Sequence, residues 1–371
     1  MVLSRNRLRV LIAPDSFKHS LDAAAVASAI ASGWTEVRPD DDVACRPMAD
    51  GGEGTLDAFA AAVPDATTRY VDVTGPDGRP RRARWLLLPD GVAVVELAES
   101  SGIELMGQLD PTGATTYGLG EVLRDALAEP AAERVLVGLG GSASTDGGAG
   151  ALVAMGARLL DRRGVDVPPE PLALASVVRV DLTRLPFPPS GGITCLTDVT
   201  APLLGPAGAA RQFGAQKGAD DATIELLESA MARWARLLGG SDDLPGAGAA
   251  GGTAYGLVRG LGARIEPGSA ALMDLVGLPA AIADADVLIT GEGRYDTQSG
   301  QGKVVGSALD VAAAHDTRAL VVCGRSELAP DPSVIELAAL AGSAEESLRD
   351  PARWLRIAGS RAAGSVGGAT Q

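Results

Sequence analysis

The chain has 371 residues and a formal net charge of −15, from 32 basic and 47 acidic side chains. This length exceeds what one hydrophobic core usually serves, so two domains are expected. The acidic balance argues against a nucleic-acid-binding surface, and no apolar run approaches the roughly 20 residues of a membrane-spanning helix. A globular cytoplasmic protein is therefore expected.

Cysteine, histidine and lysine are scarce. The three cysteines show no CxxC spacing, so neither a zinc knot nor a disulfide framework is expected. Only three of the 32 basic residues are lysines, namely Lys18, Lys217 and Lys303. Each lies in or beside a glycine-rich or polar stretch. Because an ammonium group does not substitute freely for a guanidinium, these lysines are either specific charge carriers or ordinary surface residues.

The first 65 residues predict two units in which a loop leads into a helix. The predicted elements are a buried strand over residues 9–13, a turn over 14–20, a helix over 23–34 with Asp22 as its N-cap, a glycine-rich acidic loop over 48–55 and a helix over 56–62. Such units are typical of an open α/β sheet.

A different pattern begins near residue 65. Three β-rich runs, over residues 70–73, 83–88 and 92–97, are separated by strong turn signals, which predicts an antiparallel meander. The later predicted helices cover residues 118–128, 151–160 and 222–238, and the later predicted strands cover residues 134–137, 192–196, 287–290 and 319–323. The strand at 134–137 runs into a glycine-rich loop over residues 138–150.

These patterns predict two α/β domains. Residues 1–65 and 285–371 would share one open sheet, and residues 66–284 would form an inserted domain with mixed strands. In open α/β sheets, ligands bind outside the carboxyl ends of the strands, so the loops at those ends are the candidate site.

Several of these loops combine glycine with acidic side chains. The acidic residues are Asp15, Asp50, Glu53, Asp146, Asp198, Glu292 and Asp296. Glycine lets the backbone approach a ligand, and helix N-termini present N–H groups to anions. Carboxylates beside anion-binding loops predict Mg²⁺ shared with a substrate phosphate, and the lysines would neutralise phosphoryl oxygens. The pattern favours phosphoryl transfer, although glycine and aspartate are also ordinary turn residues.

Two other nucleotide-binding patterns are absent from the chain or only loosely matched. No GxxxxGK[ST] loop is present, because Lys303 is followed by Val304. Residues 138–143 fit a loose GxGxxA dinucleotide fingerprint, with Asp161 at about the distance of a ribose-binding acid. However, Asp161 is predicted to end a helix rather than a strand, and Asp146 would repel a pyrophosphate. An NAD-dependent dehydrogenase of a small hydroxy acid is therefore kept as an alternative.

Seven motifs occur in a fixed order along the chain. They are IAPDSFK (12–18), PMADGGEGT (47–55), GGSASTDGGAG (140–150), DVTAPL (198–203), FGAQKG (213–218), GAGAAGG (246–252) and ITGEGRYDTQS (289–299). With these motifs the chain resembles the bacterial glycerate kinases of the type I family over roughly residues 8–330. The resemblance implies ATP-dependent phosphorylation of D-glycerate, usually to 2-phosphoglycerate. It also implies a flavodoxin-like α/β domain and a mixed-sheet domain like a restriction-endonuclease core, with the active site in the cleft between them.

On this resemblance we expect a glycerate hydroxyl to attack the γ-phosphorus of MgATP in line. Either Asp198 or Asp296 would accept the hydroxyl proton, and the sequence does not choose between them. Asp50 and Asp198 would hold Mg²⁺. Lys18 would contact the transferring phosphoryl group, and Lys217 or Lys303 would contact the other phosphates.

The remaining assignments concern the nucleotide and the acid substrate. The residues expected to bind the nucleotide are Gly140, Gly141, Ser142, Asp146, Gly147 and Lys303. Asp146 would hold a metal-bound water or would merely cap the following helix. The residues expected to bind glycerate are Ser16, Glu292 and Arg294, the last of which would pair with its carboxylate.

Four positions depart from the family's motifs. His19 and Ala215 stand where the family has glycine and proline, Ala201 stands where it has asparagine, and residues 144–145 are Ser-Thr where it has Thr-Asn. Aspartate and lysine are kept at every matched position, which favours turnover over a glycerate-binding sensor without activity. The expected partners are small molecules, with neither nucleic acid nor membrane, in a monomer or homodimer.

Overall fold

The structure, a computed structural model, describes residues 7–17, 20–49, 51–241, 243–297, 299 and 304–366. Its internal contacts divide the chain into two compact units. Unit 1 comprises Met1–Asp50, Asp57–Pro64 and Ser269–Gln371, and unit 2 comprises Gly51–Leu56 and Asp65–Gly268.

The elements of the described residues are numbered here in chain order. The strands are β1 (Arg9–Ile12), β2 (Asp42–Cys45), β3 (Thr67–Thr74), β4 (Pro80–Leu87), β5 (Val92–Glu96), β6 (Arg134–Gly138), β7 (Arg158–Leu160), β8 (Arg179–Asp181), β9 (Ile193–Leu196), β10 (Arg264–Glu266), β11 (Val287–Tyr295), β12 (Arg318–Ser326) and β13 (Val334–Glu336). The α-helices are α1 (Ala23–Val37), α2 (Thr55–Ala62), α3 (Ala98–Ser101), α4 (Tyr117–Ala128), α5 (Ala149–Ala154), α6 (Ala209–Phe213), α7 (Asp221–Leu238), α8 (Ala249–Leu261), α9 (Gly268–Leu275), α10 (Leu278–Asp284), α11 (Val304–Ala314), α12 (Leu337–Ala341), α13 (Ala344–Arg349) and α14 (Pro351–Val366).

Unit 1 is built on a parallel sheet with the strand order β13-β12-β11-β1-β2. Counted within the unit, this is the 2-1-3-4-5 order of flavodoxin-like folds. The order reverses between β1 and β11, which pair with Ile12 opposite Ile289. The chain after β1 continues along β11, because Asp15 N donates to Gly291 O at 2.8 Å. Ligands of such sheets bind at this switch point, outside the carboxyl ends of the strands.

The first helix of unit 1 forms as its sequence predicts. Asp22 is the N-cap of α1, and its side chain accepts a hydrogen bond from Ala25 N at 2.7 Å. Val26, Ile30 and Trp34 recur at helical spacing and are fully buried in the core that they share with β1 and β11.

Helices α1 and α14 pack backbone to backbone through two glycines. A Cβ atom on Gly33 would lie 1.8 Å from Arg356 O, and one on Gly359 would lie 2.1 Å from Ile30 O. Any larger side chain would push the helices apart, so the close packing requires glycine at both positions.

A matched pair of substitutions in α14 tests this packing. We expect Gly359→Ala to lower the free energy of unfolding by about 1–3 kcal/mol, because the added methyl overpacks the helix contact. Gly364→Ala lies in the same helix, where a Cβ would meet nothing within 4 Å, and should stabilise by up to about 1 kcal/mol. Urea unfolding of both variants measures the difference, and equal effects would contradict the packing argument.

Unit 2 is built on a mixed six-stranded sheet in the order β10-β9-β6-β5-β4-β3. The first four strands in this order are parallel, and β4 and β3 are antiparallel. The predicted meander is therefore confirmed in β3, β4 and β5, and its first turn is closed by Gly75 N donating to Arg79 O at 2.7 Å. The expected fold class, with one open parallel sheet and one mixed sheet, is confirmed.

One predicted helix is wrong. The helix expected over residues 151–160 ends at Ala154, because Gly156 adopts φ +114 and turns the chain into β7. Asp161 follows β7, which pairs only with β8 outside the large sheet. Its carboxylate accepts the N–H groups of Arg163 and Val165 in a local turn.

The unit boundaries differ from the expected ones at two places. The chain returns to unit 1 at Ser269 rather than near residue 285, because Arg46 Nη1 donates to Val276 O and Thr317 Oγ1 donates to Ile282 O. Residues 51–56 belong to unit 2 rather than to the first domain. In the described part of the chain, no helix is both long and apolar enough to cross a membrane.

Candidate active site

The glycine-rich motifs of unit 2 converge at the carboxyl ends of its parallel strands. The loop after β6 contacts the segment 51–56 through Gly140 N, which donates to Gly51 O at 3.1 Å. It contacts the end of β9 through Leu139 N, which donates to Leu196 O at 3.2 Å. We call residues 51–56, 138–150 and 246–252 the loop cluster.

Several glycines of the loop cluster serve contact between main chains. A Cβ atom on Gly140 would lie 2.1 Å from Gly52 Cα, and one on Gly138 would lie 2.6 Å from Gly51 O. Gly141 has φ +69, and a Cβ there would lie 2.5 Å from Glu53 Oε1. Loop-on-loop packing therefore requires glycine at positions where the sequence suggests ligand contact.

Glu96 anchors the segment 51–56 and was not predicted as a functional residue. It ends β5, is 4% exposed, and accepts hydrogen bonds from Gly54 N (3.1 Å) and Leu56 N (3.0 Å). The sequence feature that could have indicated this role is a single acidic residue at the end of the otherwise apolar run Val92–Glu96. A carboxylate at these amides also complements the positive end of the helix that begins at Thr55.

Asp146 is the centre of the loop after β6. It is completely buried, and its Oδ2 accepts hydrogen bonds from Thr116 N (2.8 Å), Thr116 Oγ1 (2.7 Å) and Gly150 N (3.1 Å). Its Oδ1 accepts from Gly148 N (3.0 Å) and Ser144 Oγ (3.3 Å). Because both oxygens bind protein donors, Asp146 shapes the loop from within rather than presenting a carboxylate at its surface.

Lys217 lies in the same interior. Its side chain is 2% exposed, and Nζ donates a hydrogen bond to Ser144 O. The same carbonyl faces the left-handed bend at residues 250–252, where a Cβ on Gly251 would lie 2.0 Å from it. Lys217 therefore braces the loop, and in this structure its ammonium group binds a main-chain carbonyl.

Burial raises the pKa of Asp146, while the hydrogen bonds from Thr116, Gly150 and Gly148 oppose that rise. Burial lowers the pKa of Lys217 to about 8 from 10.5, and the charge of Asp146 opposes that fall. Desolvation thus disfavours both charged forms, and the charge of Asp146 favours the protonated form of Lys217. A buried pair of this kind adds little net stability to the folded protein. We infer that it fixes the conformation of the loop instead.

The lowered pKa of Lys217 should make the free energy of unfolding depend on pH in the alkaline range. Between pH 8 and 10.5 the unfolded chain binds this proton more tightly than the folded one, so stability should rise with pH across that window. We expect the unfolding free energy of wild type, relative to Lys217→Met, to increase by on the order of 3 kcal/mol over that range. Urea unfolding at half-unit pH steps measures it, and a constant difference would exclude a depressed pKa.

The other loop residues assigned to the nucleotide are held by protein contacts. Ser142 Oγ lies 3.4 Å from Ala250 O, and Gly147 N donates to Gly251 O at 3.0 Å. Gly147 O accepts from Trp234 Nε1 at 2.9 Å. Much of the loop predicted to bind the nucleotide is therefore committed to internal packing.

Thr145 is an exception within this loop. Its Oγ1 is buried and has no hydrogen-bond partner in the described part of the chain. A buried hydroxyl without a partner costs about 1–3 kcal/mol, so such groups call for an explanation. The hydroxyl of Thr145 lies between Ser144 and Asp146, in the part of the loop that Asp146 and Lys217 hold in place.

Asp198 lies two residues beyond β9, half-buried, and β9 pairs directly with β6. The structure therefore brings a carboxylate and the glycine loop to neighbouring strand ends. In the described residues, no group of three or more His, Cys, Asp and Glu side chains is arranged to enclose a metal ion.

The assigned residues of unit 1 lie on or after β1 and β11. Ser16 follows β1, and its N–H donates to Asp15 Oδ1 at 2.6 Å. Glu292 and Arg294 are on β11, which continues as a strand through residues predicted to be a loop. Glu292 is 9% exposed and lies opposite Cys323 of β12.

Arg294 is already engaged by carboxylates. Its side chain is 66% exposed and lies 2.8 Å from Glu327 and 3.6 Å from Asp296. These pairs, the first above all, raise the pKa of Arg294. A glycerate carboxylate would have to compete with both. Lys18, His19, Asp50 and Lys303 lie outside the described residues.

Comparison with known proteins agrees with the motifs. The model of the glycerate kinase family matches residues 10–369. The chain is 39% identical to "Glycerate 2-kinase" of Escherichia coli (strain K12) and 38% identical to "Glycerate kinase" of Bacillus subtilis (strain 168), each over 326 residues and 85% of both chains. A solved structure titled "Crystal structure of putative glycerate kinase 2 from Salmonella typhimurium LT2" is 36% identical, covers 98% of this chain and 99% of that one, and superposes with a TM-score of 0.81. The chain belongs to the glycerate kinase family and is an enzyme of that family.

Proposed function

We propose that this enzyme transfers the γ-phosphoryl group of ATP to D-glycerate and releases ADP and 2-phosphoglycerate. The observation that carries the proposal is the loop after β6, which is braced from within by Asp146 and Lys217 and lies beside the strand end that bears Asp198. A rigid glycine loop next to a carboxylate suits phosphoryl transfer, which depends on positioning and electrostatic stabilisation. The named relatives support glycerate as the acceptor.

The reaction needs one proton acceptor and several positive groups. The attacking hydroxyl oxygen of glycerate forms a bond to the γ-phosphorus, the bond from that phosphorus to the bridging oxygen of ADP breaks, and the hydroxyl proton passes to a carboxylate. We assign this carboxylate to Asp198 or Asp296. Lys18 is assigned to the transferring phosphoryl group, and Lys303 to the remaining phosphates.

A magnesium ion would suit the donors available here. Mg²⁺ prefers oxygen ligands and is bound through one or two carboxylates plus substrate phosphates, so Asp198 is a suitable ligand, with Asp50 as the second. When bound, the ion would neutralise phosphate oxygens. Ser16 and Glu292 are assigned to the hydroxyl groups of glycerate, and Arg294 to its carboxylate.

An ADP-release assay with ATP, MgCl₂ and D-glycerate tests the reaction. ADP should form only when glycerate is present, and phosphorus NMR of the product should show the phosphate on carbon 2 rather than carbon 3. Glycerate binding without ADP release would indicate a sensor. Reduction of NAD⁺ with a hydroxy acid, followed at 340 nm, would indicate the dehydrogenase instead.

The same assay can determine which aspartate accepts the proton. Asn variants of Asp198 and Asp296 should differ, because only the base changes the pH profile of kcat. The variant that loses the acidic limb of that profile identifies the base.

A further inference from the structure

Unit 2 contains a cavity of about 1090 Å³ that none of the assigned residues lines. Its wall is formed by the turn between β3 and β4, by the segment that leads into α4, and by Pro169 and Glu170. The volume lies just above the range of about 300–1,000 Å³ that is usual for small-molecule sites. It far exceeds what a three-carbon acid fills, so a larger ligand is required to occupy it.

The lining combines apolar faces with hydrogen-bond acceptors. The apolar and aromatic members are Pro76, Met106, Leu109, Tyr117 and Pro169. Leu109 is 43% exposed, so its side chain is accessible to a ligand in the cavity. Flat apolar rings, rather than extended chains, suit a wall of prolines and one tyrosine.

The charges around the cavity argue against a phosphate in it. Three acids, Asp77, Asp110 and Glu170, face one cation, Arg79, which is itself 3.7 Å from Asp77. The carboxylate of Asp110 is engaged in its own turn, because its Oδ1 accepts hydrogen bonds from the N–H groups of Thr112 and Gly113. Hydrogen bonds from these residues lower the pKa of Asp110. In the described part of the chain the carboxylate of Glu170 has no hydrogen bond or ion pair. It can accept hydrogen bonds from hydroxyl or amine groups of a neutral ligand.

Hydrogen bonds connect the lining of the cavity with the loop after β6. Thr115 and Tyr117 line the cavity, and Thr116 between them holds Asp146 through two hydrogen bonds. On the other wall, Met106 N donates to Ile103 O at 3.0 Å, and Ile103 N donates to Gly141 O at 2.7 Å. Two walls of the cavity are therefore linked, through Thr116 and Ile103, to the loop after β6.

We propose that this cavity binds the nucleoside part of the nucleotide, with the phosphates directed at the loop after β6. The proposal rests on the proposed function, because that function supplies the nucleotide. The purine would pack against Tyr117 and Leu109, and the carboxylate of Glu170 would accept hydrogen bonds from ribose hydroxyls, as acidic residues do in other nucleotide sites. The acidic rim would exclude the phosphates and so fix the orientation of the ligand.

Calorimetric titration with ADP tests the cavity without turnover. Tyr117→Ala and Leu109→Asp are each expected to weaken ADP and adenosine binding about tenfold or more, the loss expected for a stacked base. Binding of inorganic tripolyphosphate should stay within twofold. The matched controls are Tyr70→Ala and Leu226→Asp, whose side chains are 59% and 56% exposed and do not line the cavity.

Each result decides the matter. Unchanged ADP affinity in both cavity variants, an equal loss for tripolyphosphate, or wild type that does not bind ADP would overturn the proposal. Two variants are used so that misfolding of one, detected by circular dichroism, leaves the other. Phosphorylation of glycerate by wild type is measured separately, so a failure of the cavity is distinguishable from a failure of the proposed function.

Discussion

Asp146→Asn is expected to lower the free energy of unfolding by about 3–5 kcal/mol and to abolish most turnover. Asparagine offers one acceptor oxygen where Asp146 uses two, and its amide group would face N–H donors of Gly148 or Gly150. The ammonium of Lys217 would lose the charge that opposes its desolvation. The loop after β6 should therefore lose its fixed shape.

Urea unfolding and the ADP-release assay measure the two effects. Asp125→Asn is the matched control, because this exposed aspartate accepts one hydrogen bond, from Trp85 Nε1 at 2.8 Å, which an amide oxygen can still accept. We expect Asp125→Asn to lower the free energy of unfolding by less than about 1 kcal/mol. If both variants lost the same stability, the central role of Asp146 in the loop would be excluded.

Local chemistry predicted most of the fold. Asp22 and the apolar spacing of Val26, Ile30 and Trp34 define α1, and alternating β-rich runs with Gly-Pro-Asp-Gly define the meander. The helix after the glycine loop was overextended, because its apolar residues fit either structure and only the backbone of Gly156 separates them. The boundary at residue 269 depends on packing of α9 and α10, which no local pattern encodes.

The site was predictable only in part, for a physical reason. Glycine beside aspartate identifies the loop after β6. However, a glycine-rich sequence suits both the binding of an anion and close contact with a neighbouring main chain, and Gly140 contacts Gly52 in the second way. Burial of Lys217 depends on Ser144, 73 residues away in the sequence, and the role of Glu96 depends on amides 40 residues away. Such long-range partners are properties of the fold rather than of any motif.

Lys18→Ala is expected to lower kcat by roughly 10²–10³-fold while leaving the free energy of unfolding nearly unchanged. If Lys18 neutralises charge on the transferring phosphoryl group, its loss affects the transition state more than substrate binding, so KM should change little. The residue before Lys18 is held by contacts of its own. Phe17 is 3% exposed, and its N–H donates to Leu21 O at 2.9 Å.

Two controls separate this role from general charge and from folding. Arg9→Ala removes an exposed cation of the same unit, 3.8 Å from Asp286, and should leave kcat within about twofold. Lys18→Arg should recover only part of the rate, because a planar guanidinium cannot reproduce a compact ammonium. Lys217→Met should change stability as well as rate, since that ammonium is buried. Near-normal turnover in Lys18→Ala would remove Lys18 from the mechanism and leave Lys303, with a metal ion held by Asp50 and Asp198, to neutralise the phosphoryl group.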